Sequence, residues 1–223
     1  MSERMKAEPV VAAWGRIATW LHRYAPVSAG TILPPAGAGE LASTETHCLA
    51  VYGHGVPAEL TALWRLCGGV RWVDVEEDEG GDLAAYAFLG SVLLGPDEAV
   101  RARGGRESLA GSLSAAARPV AHWLPWLGAD NDGPDSGLYA ADSGVGRWAC
   151  YEGVELGEPT AFPSVTGYLE AVADALEHGT GPLVSRPVPN REVPGLVGGA
   201  LIWAHLDHPY GIPDGWEPIH PLP

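Results

Sequence analysis

The chain has 223 residues, and 46% of them are hydrophobic, so it can form a sizeable core as one large domain or as a domain with an extension. The formal net charge is −15 and Lys6 is the only lysine, so the clustered basic residues that neutralise nucleic-acid phosphates are missing, and we expect no nucleic-acid binding. No apolar stretch approaches the length of about 18 residues that a membrane helix needs, and the N-terminus lacks the pattern of a signal peptide.

The cysteines favour a reducing compartment. Cys48, Cys67 and Cys150 are far apart in the sequence. They form no CxxC pair and their number is odd, which argues against a zinc knuckle and against a disulfide framework. We therefore expect buried structural thiols and a cytoplasmic location.

Apolar residues recur at helical spacing in three successive stretches of the first third of the chain. A loop is expected after Pro26. Pro57 is a favourable first residue for the third helix, and Gly68-Gly69 is a favourable stop because glycine tolerates the left-handed conformation. The predicted helices cover about residues 9–24, 37–52 and 57–67.

The character of the chain changes after Gly69. Residues 70–75 are rich in β-branched and aromatic side chains and predict a strand, and residues 83–89 predict its hairpin partner across a highly charged turn. Ser164 is a favourable N-cap for a helix that runs to His178. The other predicted elements are a helix over 96–103, a helical or irregular stretch over 107–117, and strands over 120–127, 137–142, 147–152 and 199–206.

This order of elements indicates an α+β fold, in which N-terminal helices and a C-terminal helix pack against an antiparallel β-sheet. We expect one domain over residues 8–206. Nine of the twenty prolines fall in residues 182–223. Residues 207–223 are therefore expected to be a Pro-rich C-terminal tail, irregular from Pro209 onward.

Several short motifs occur in one order along the chain. They are Leu33-Pro34-Pro35, Val56-Pro57-Ala58-Glu59-Leu60 with Gly68-Gly69, Trp123-Leu124-Pro125, Leu138-Tyr139-Ala140-Ala141-Asp142, and the helix from Phe162 to Gly179. The ordered set, over roughly residues 10–205, resembles the SMI1/KNR4 (SUKH) family. The motif positions that carry the resemblance are Pro57, Leu60, Gly68, Gly69, Trp123, Pro125 and Asp142.

The resemblance implies a non-catalytic protein-binding domain, as in bacterial immunity proteins that neutralise toxins by direct binding. It also implies a structural role for Asp142 at the end of its strand. Under this hypothesis the partner is a basic toxin domain of the nuclease type. The alternative within the same fold is a regulatory or scaffold protein that binds a cellular partner and uses the Pro-rich tail as a docking peptide.

Two acidic segments are the predicted partner-binding surface, because carboxylates without basic neighbours suit a cationic partner. The first holds six carboxylates in nine residues: Asp74, Glu76, Glu77, Asp78, Glu79 and Asp82. The second contains Asp130, Asp132 and Asp135. A solvated loop without a partner is the competing interpretation of both. Most of the nine tryptophans are expected in the core, and an exposed one beside an acidic turn would serve as an anchor.

The sequence offers only weak candidates for metal binding and none of the common catalytic motifs. His205, Asp207 and His208 could supply metal ligands and form the basis of a third hypothesis, a hydrolase or metal enzyme, but the set lacks a further placed ligand. The aspartates at 130, 132 and 135 resemble a fragment of a calcium loop without its closing glutamate. No nucleophile elbow, P-loop or dinucleotide fingerprint is present. We therefore expect no catalysis, no cofactor and no bound metal, and we expect His47 and His54 to be exposed to solvent.

Overall fold

The computed structural model describes residues 3–71, 85, 87–109, 122–128, 136–142, 144–150, 154–159, 162–185, 192–206 and 212–221. Within them the helices are α1 Glu3–Tyr24, α2 Pro26–Ala29, α3 Ala38–His47, a π-helix over Cys48–Tyr52, α4 Ala58–Trp64, α5 Pro96–Leu109 and α6 Val165–His178. The strands are β1 Val92–Leu93, β2 Trp123–Gly128, β3 Ser136–Ala141, β4 Gly144–Cys150, β5 Val154–Pro159, β6 Glu192–Val197, β7 Ala200–His205 and β8 Glu217–Pro218.

The strands form two antiparallel sheets. The larger sheet has the order β1-β2-β3-β4-β5, and the smaller has the order β7-β6-β8. The fold is therefore α+β, with helices packed against an antiparallel sheet, as the sequence predicted. No helix among the described residues combines the length and the apolar character that crossing a membrane requires.

The helix α1 is held by its apolar stripe. Val10, Trp14, Ile17 and Leu21 are at most 6% exposed, and the helix packs against α4 and α6. The i, i+4, i+7 spacing puts these side chains on one face, where their burial replaces water contacts with packing.

The helix α6 has clear ends in both the sequence and the structure. The Ser164 hydroxyl accepts a hydrogen bond from the backbone N–H of Gly167 at 3.0 Å, and Gly179 ends the helix at a φ of 65°. These are the N-cap and the left-handed C-cap that the sequence predicts.

The larger sheet separates two apolar clusters. The main cluster joins the helices to one face of the sheet and includes Leu124 and Trp126. A smaller cluster holds Trp123, Tyr139 and Trp148. Tyr139 lies across Gly146 of β4, where a Cβ atom would overlap its ring. Strand β2 is therefore buried throughout.

The predicted hairpin of 70–75 with 83–89 is wrong in its described part. Val70 forms an isolated antiparallel bridge with Ile32 instead, and residues 72–84 lie outside the described part of the chain. Phe88 and Leu89 form a turn. Their carbonyl oxygens accept hydrogen bonds from the side chains of Trp203 and Tyr168, so they are not available to a strand ladder.

Other element boundaries differ from the prediction. Helix α5 continues to Leu109, α2 occupies part of the expected loop, and β4 begins at Gly144 rather than 147. Strands β1, β5 and β6 were not predicted.

The C-terminal segment, residues 212–221, differs from the irregular tail that the sequence predicted. It adds β8 to the smaller sheet, where Gly195 is paired with Pro218. The indole N–H of Trp216 donates to the carbonyl of Ile202 at 3.2 Å, and the N–H of Ile219 donates to the carbonyl of Pro194 at 3.2 Å. The segment is therefore hydrogen-bonded to the body of the protein.

Candidate functional site

The motif helix α4 is locked to α6 through one carboxylate. Pro57 precedes α4 and Leu60 is fully buried in the core. Between them in sequence, the Glu59 carboxylate accepts hydrogen bonds from the N–H of Val165 at 2.9 Å and from the hydroxyl of Thr166 at 2.7 Å. A carboxylate at the first turn of a helix satisfies free N–H groups and suits the helix dipole. The motif at Pro57 and Leu60 is thus structural.

Gly68 and Gly69 let two backbone segments pass close to this motif helix. A Cβ on Gly68 would lie 2.6 Å from the carbonyl oxygen of Pro34, and a Cβ on Gly69 would lie 2.9 Å from the nitrogen of Gly95. Gly69 also has a φ of 122°, which side chains with a Cβ rarely adopt. Only glycine fits both positions, so they also serve the fold.

The motif residues Trp123 and Pro125 lie on β2, between β1 and β3, and Asp142 immediately follows β3. Proline donates no hydrogen bond to a ladder, and the register of β2 with β3 shifts between Pro125 and Leu127. Trp123 is paired with Ala141 in that ladder, so Trp123 and Asp142 lie at the same end of the two strands. The fold thus brings together two motif positions that are far apart in sequence.

A buried arginine organises this end of the sheet. Arg103 of α5 is 5% exposed, and its Nη1 donates to the carbonyl oxygen of Trp123 and lies 2.7 Å from Nε2 of His54. Its guanidinium carbon lies 3.6 Å from the ring centroid of Tyr52 and 4.9 Å from that of Trp123. These contacts tie α5 to β2 and to the π-helix. We call Arg103, His54, Tyr52 and Trp123 the Arg103 cluster.

The hydrogen bonds of His54 define its protonation state. Its Nδ1 lies 2.9 Å from the carbonyl oxygen of Gly55, which can only accept, so Nδ1 carries the proton. Nε2 is then the acceptor for Arg103, which leaves the ring neutral. Burial lowers the pKa of His54, and the charge of Arg103 lowers it further against the opposing hydrogen bond to Gly55. The expectation that His54 is exposed was wrong, because it is 6% exposed.

Aromatic and imidazole rings connect the Arg103 cluster to the surface. Ring centroids are 5.6 Å apart for His47 and Tyr52, 6.1 Å for Tyr52 and His54, and 5.0 Å for His54 and His122. His122 Nδ1 lies 3.0 Å from the Asp142 carboxylate, and these two side chains are 52% and 81% exposed. The motif aspartate therefore lies at the exposed end of a continuous band of rings.

Two large apolar side chains project to solvent next to this band. Leu49 is 54% exposed and Val51 is 59% exposed, both on the π-helix whose last residue is Tyr52. Short π-helical segments are frequent at functional sites. All described tryptophans are at least partly buried, so next to this band the apolar side chains open to a partner are these two aliphatic residues.

The two described thiols with a shifted pKa, Cys48 and Cys67, are buried. Cys48 is the thiol on the π-helix, but it is fully buried, and burial raises its pKa and so disfavours the nucleophilic thiolate. Cys67 is likewise buried, as the sequence predicted, and burial raises its pKa to about 11. What the face presents outward is a carboxylate, imidazoles and two aliphatic side chains.

The predicted partner-binding residues lie outside the described part of the chain. They are Asp74, Glu76, Glu77, Asp78, Glu79, Asp82, Asp130, Asp132 and Asp135, and their role stays a prediction. Of the proposed metal set, His205 Nε2 is 3.0 Å from the Glu192 carboxylate across the β6–β7 ladder, while Asp207 and His208 also lie outside the described residues. Among the described residues, no group of three or more ligand side chains could hold a metal ion.

Sequence reasoning missed the Arg103 cluster. The burial of Ala99, one helical turn before Arg103, is known only from the structure, and α5 has no apolar stripe in the sequence that marks this face as buried. A buried arginine needs partners.

Comparison with known proteins adds no identification. No protein-family model matches the chain, and no curated protein matches it.

Proposed function

We propose that this protein is a cytoplasmic SUKH-type immunity protein, which binds a basic, nuclease-type toxin and blocks it by occlusion without turnover. The observation that carries the proposal is the net charge of −15, with six carboxylates in the nine residues from Asp74 to Asp82. Carboxylates in such number can occupy the positions that a nuclease provides for phosphates and can speed association with it.

The position of the C-terminal segment favours the immunity hypothesis over the scaffold hypothesis. A docking peptide has to be available to its partner, but residues 216 and 219 are hydrogen-bonded to the smaller sheet. Use of this segment as a docking peptide would require β8 to leave β6, at the expense of those hydrogen bonds.

The first test is a pull-down with the tagged full-length protein from its own cells at low and at high salt. We expect to capture a basic nuclease that stays bound at low salt and is released at high salt. Its nuclease activity should be absent in the complex. A salt-insensitive partner that is not a toxin would contradict the proposal and support the scaffold alternative.

A pair of matched variants then tests the acidic surface. The triple variant Glu76→Gln, Glu77→Gln, Glu79→Gln removes three charges from the first acidic segment. The control, Glu8→Gln, Glu170→Gln, Glu217→Gln, removes three exposed charges elsewhere, by the same isosteric change. We expect the first variant to slow association at low salt by about tenfold or more and the control to have little effect. An equal effect would show that only the total charge matters.

A further inference from the structure

A cleft of about 890 Å³ lies between α1, α6 and the C-terminal segment, remote in the fold from the Arg103 cluster. Its floor is a row of small residues on α1, namely Ala12, Gly15 and Thr19. Its apolar walls are Trp20, Tyr24, Leu176, Leu196 and Ile219. Sites for small organic ligands have volumes of about 300–1,000 Å³ and a mostly apolar lining with a few polar groups, and this cleft has both properties.

The C-terminal segment forms part of the cleft and is held in place there. The His220 ring donates from Nε2 to the carbonyl oxygen of Leu176 at 3.0 Å, and it packs against Gly179, where a Cβ would lie 2.7 Å from the ring. Ile219 packs against the main core. The wall is therefore largely preformed, as in most ligand sites.

The cleft contains one arginine whose charge is already neutralised. Arg16 Nη2 lies 2.7 Å from the Asp174 carboxylate and 2.5 Å from that of Glu177, and its Nε donates to Glu177 at 3.0 Å. Two carboxylates on one guanidinium leave it little attraction for a further anion.

The second arginine, at the other end of the α1 floor, is free to bind. Arg23 is exposed, and no carboxylate of the described residues lies within ion-pairing distance of its guanidinium. Its guanidinium carbon is 5.0 Å from the ring centroid of Tyr24, which is itself 5.2 Å from that of Trp20. Tyr24 is 45% exposed. The result is a pair of aromatic rings with a cation over one of them, next to an apolar cavity.

We propose that this cleft binds a small organic monoanion with an apolar or aromatic body. The body would lie on the α1 floor against Trp20 and Tyr24, and the anionic group would pair with Arg23. The net charge of −15 disfavours a polyanion, so the ligand is expected to carry a single negative charge. This site is independent of the proposed toxin-binding surface, and either assignment can fail without the other.

The test uses two fluorescent probes of nearly the same shape with the full-length protein. Anilinonaphthalene sulfonate carries one negative charge, and N-phenyl-naphthylamine is neutral. Arg23→Gln removes the cation, and Arg65→Gln removes an exposed arginine that lies outside the cleft. Thr19→Trp fills the floor of the cleft at an exposed helical position.

We expect saturable single-site binding of the anionic probe by the unaltered protein. Arg23→Gln should weaken the affinity for the anionic probe about tenfold, because one charge-assisted hydrogen bond is lost. Its affinity for the neutral probe should change little. Arg65→Gln should leave both affinities unchanged, and Thr19→Trp should abolish both.

Four results would overturn the proposal. Absence of saturable binding would show that the cleft is not a binding site for such a ligand. Unchanged binding to Thr19→Trp would place the probe elsewhere on the protein. Equal affinity for both probes, or no effect of Arg23→Gln, would show that the cleft does not select an anion. Circular dichroism of each variant checks that loss of binding is not loss of folding.

Discussion

Removal of the buried guanidinium of Arg103 is expected to destabilise the fold strongly. The substitution Arg103→Met keeps a side chain of similar length but leaves the Trp123 carbonyl oxygen and the His54 Nε2 without this donor. An unsatisfied buried acceptor costs about 1–3 kcal/mol, and the two cation–π contacts add about 0.5–2 kcal/mol. Relief from burying a charge offsets part of this sum.

The net loss that we expect is about 3 kcal/mol in the free energy of unfolding. For a chain of this length it corresponds to a fall in Tm of about 6–12 °C. The assay is urea unfolding followed by circular dichroism, where the midpoint should fall with little change in the m-value.

Arg101→Met is the matched control, because Arg101 is exposed on the same helix. It should change stability by no more than about 0.5 kcal/mol. A loss below about 1 kcal/mol for Arg103→Met, or an equal loss for the two variants, would refute the reasoning that Arg103 holds α5 to the sheet.

Four further predictions concern local conformation and protonation. Burial lowers the pKa of His54 from its ordinary value of 6.5, so the unfolded chain takes up this proton more readily. The contribution of neutral His54 to stability is therefore complete above the unfolded pKa and is lost as the pH falls below it. In His54→Gln, the difference between urea midpoints measured at about pH 8 and about pH 5.5 should be smaller than in the unaltered protein. Gly195→Ala should displace the indole of Trp216, with which its Cβ would overlap, and so speed hydrogen exchange of the Ile219 amide, which donates to Pro194 beside β8. Gly15→Ala should stabilise the protein by about 1 kcal/mol, because it lies inside α1 with nothing within 4 Å of a Cβ. Gly69→Ala should destabilise it by more than about 2 kcal/mol through its φ of 122° and the nearby Gly95 backbone, as urea unfolding will show.

Each of these has an outcome that contradicts it, and for Gly69→Ala it is a urea midpoint equal to that of the unaltered protein. An unchanged pH slope in His54→Gln would show that another group sets it. Unchanged exchange in Gly195→Ala would mean that the indole is not needed for docking of β8. A loss of stability in Gly15→Ala would indicate a contact of that helix face that the geometry does not show.

The helical part of the fold was predictable because its information is local. The spacing of Val10, Trp14 and Ile17 reports which face of α1 is buried, and Ser164 and Gly179 mark the ends of α6 through the bonds they make within one turn. The charge and the absence of a paired-cysteine pattern are likewise properties of the chain itself.

The smaller sheet was only partly predictable. Gly198 and Gly199 have φ values of 55° and 86° and form the two-residue turn between β6 and β7. A Gly-Gly pair between apolar runs is a hairpin pattern, and it could have indicated β6 before the structure was known. Pro194 and Gly195 obscured it, because both residues argue against a strand.

What the sequence by itself determined is therefore the class of fold, most of the helices, the buried thiols and the acidic charge. Only the tertiary structure decided that Phe88 and Leu89 turn rather than pair, that residues 217–218 join β6, and that Arg103 is buried against His54. The physical reason is the same in each case. The partner that satisfies the hydrogen bonds lies far away in sequence, and no local pattern reports which distant group will be there.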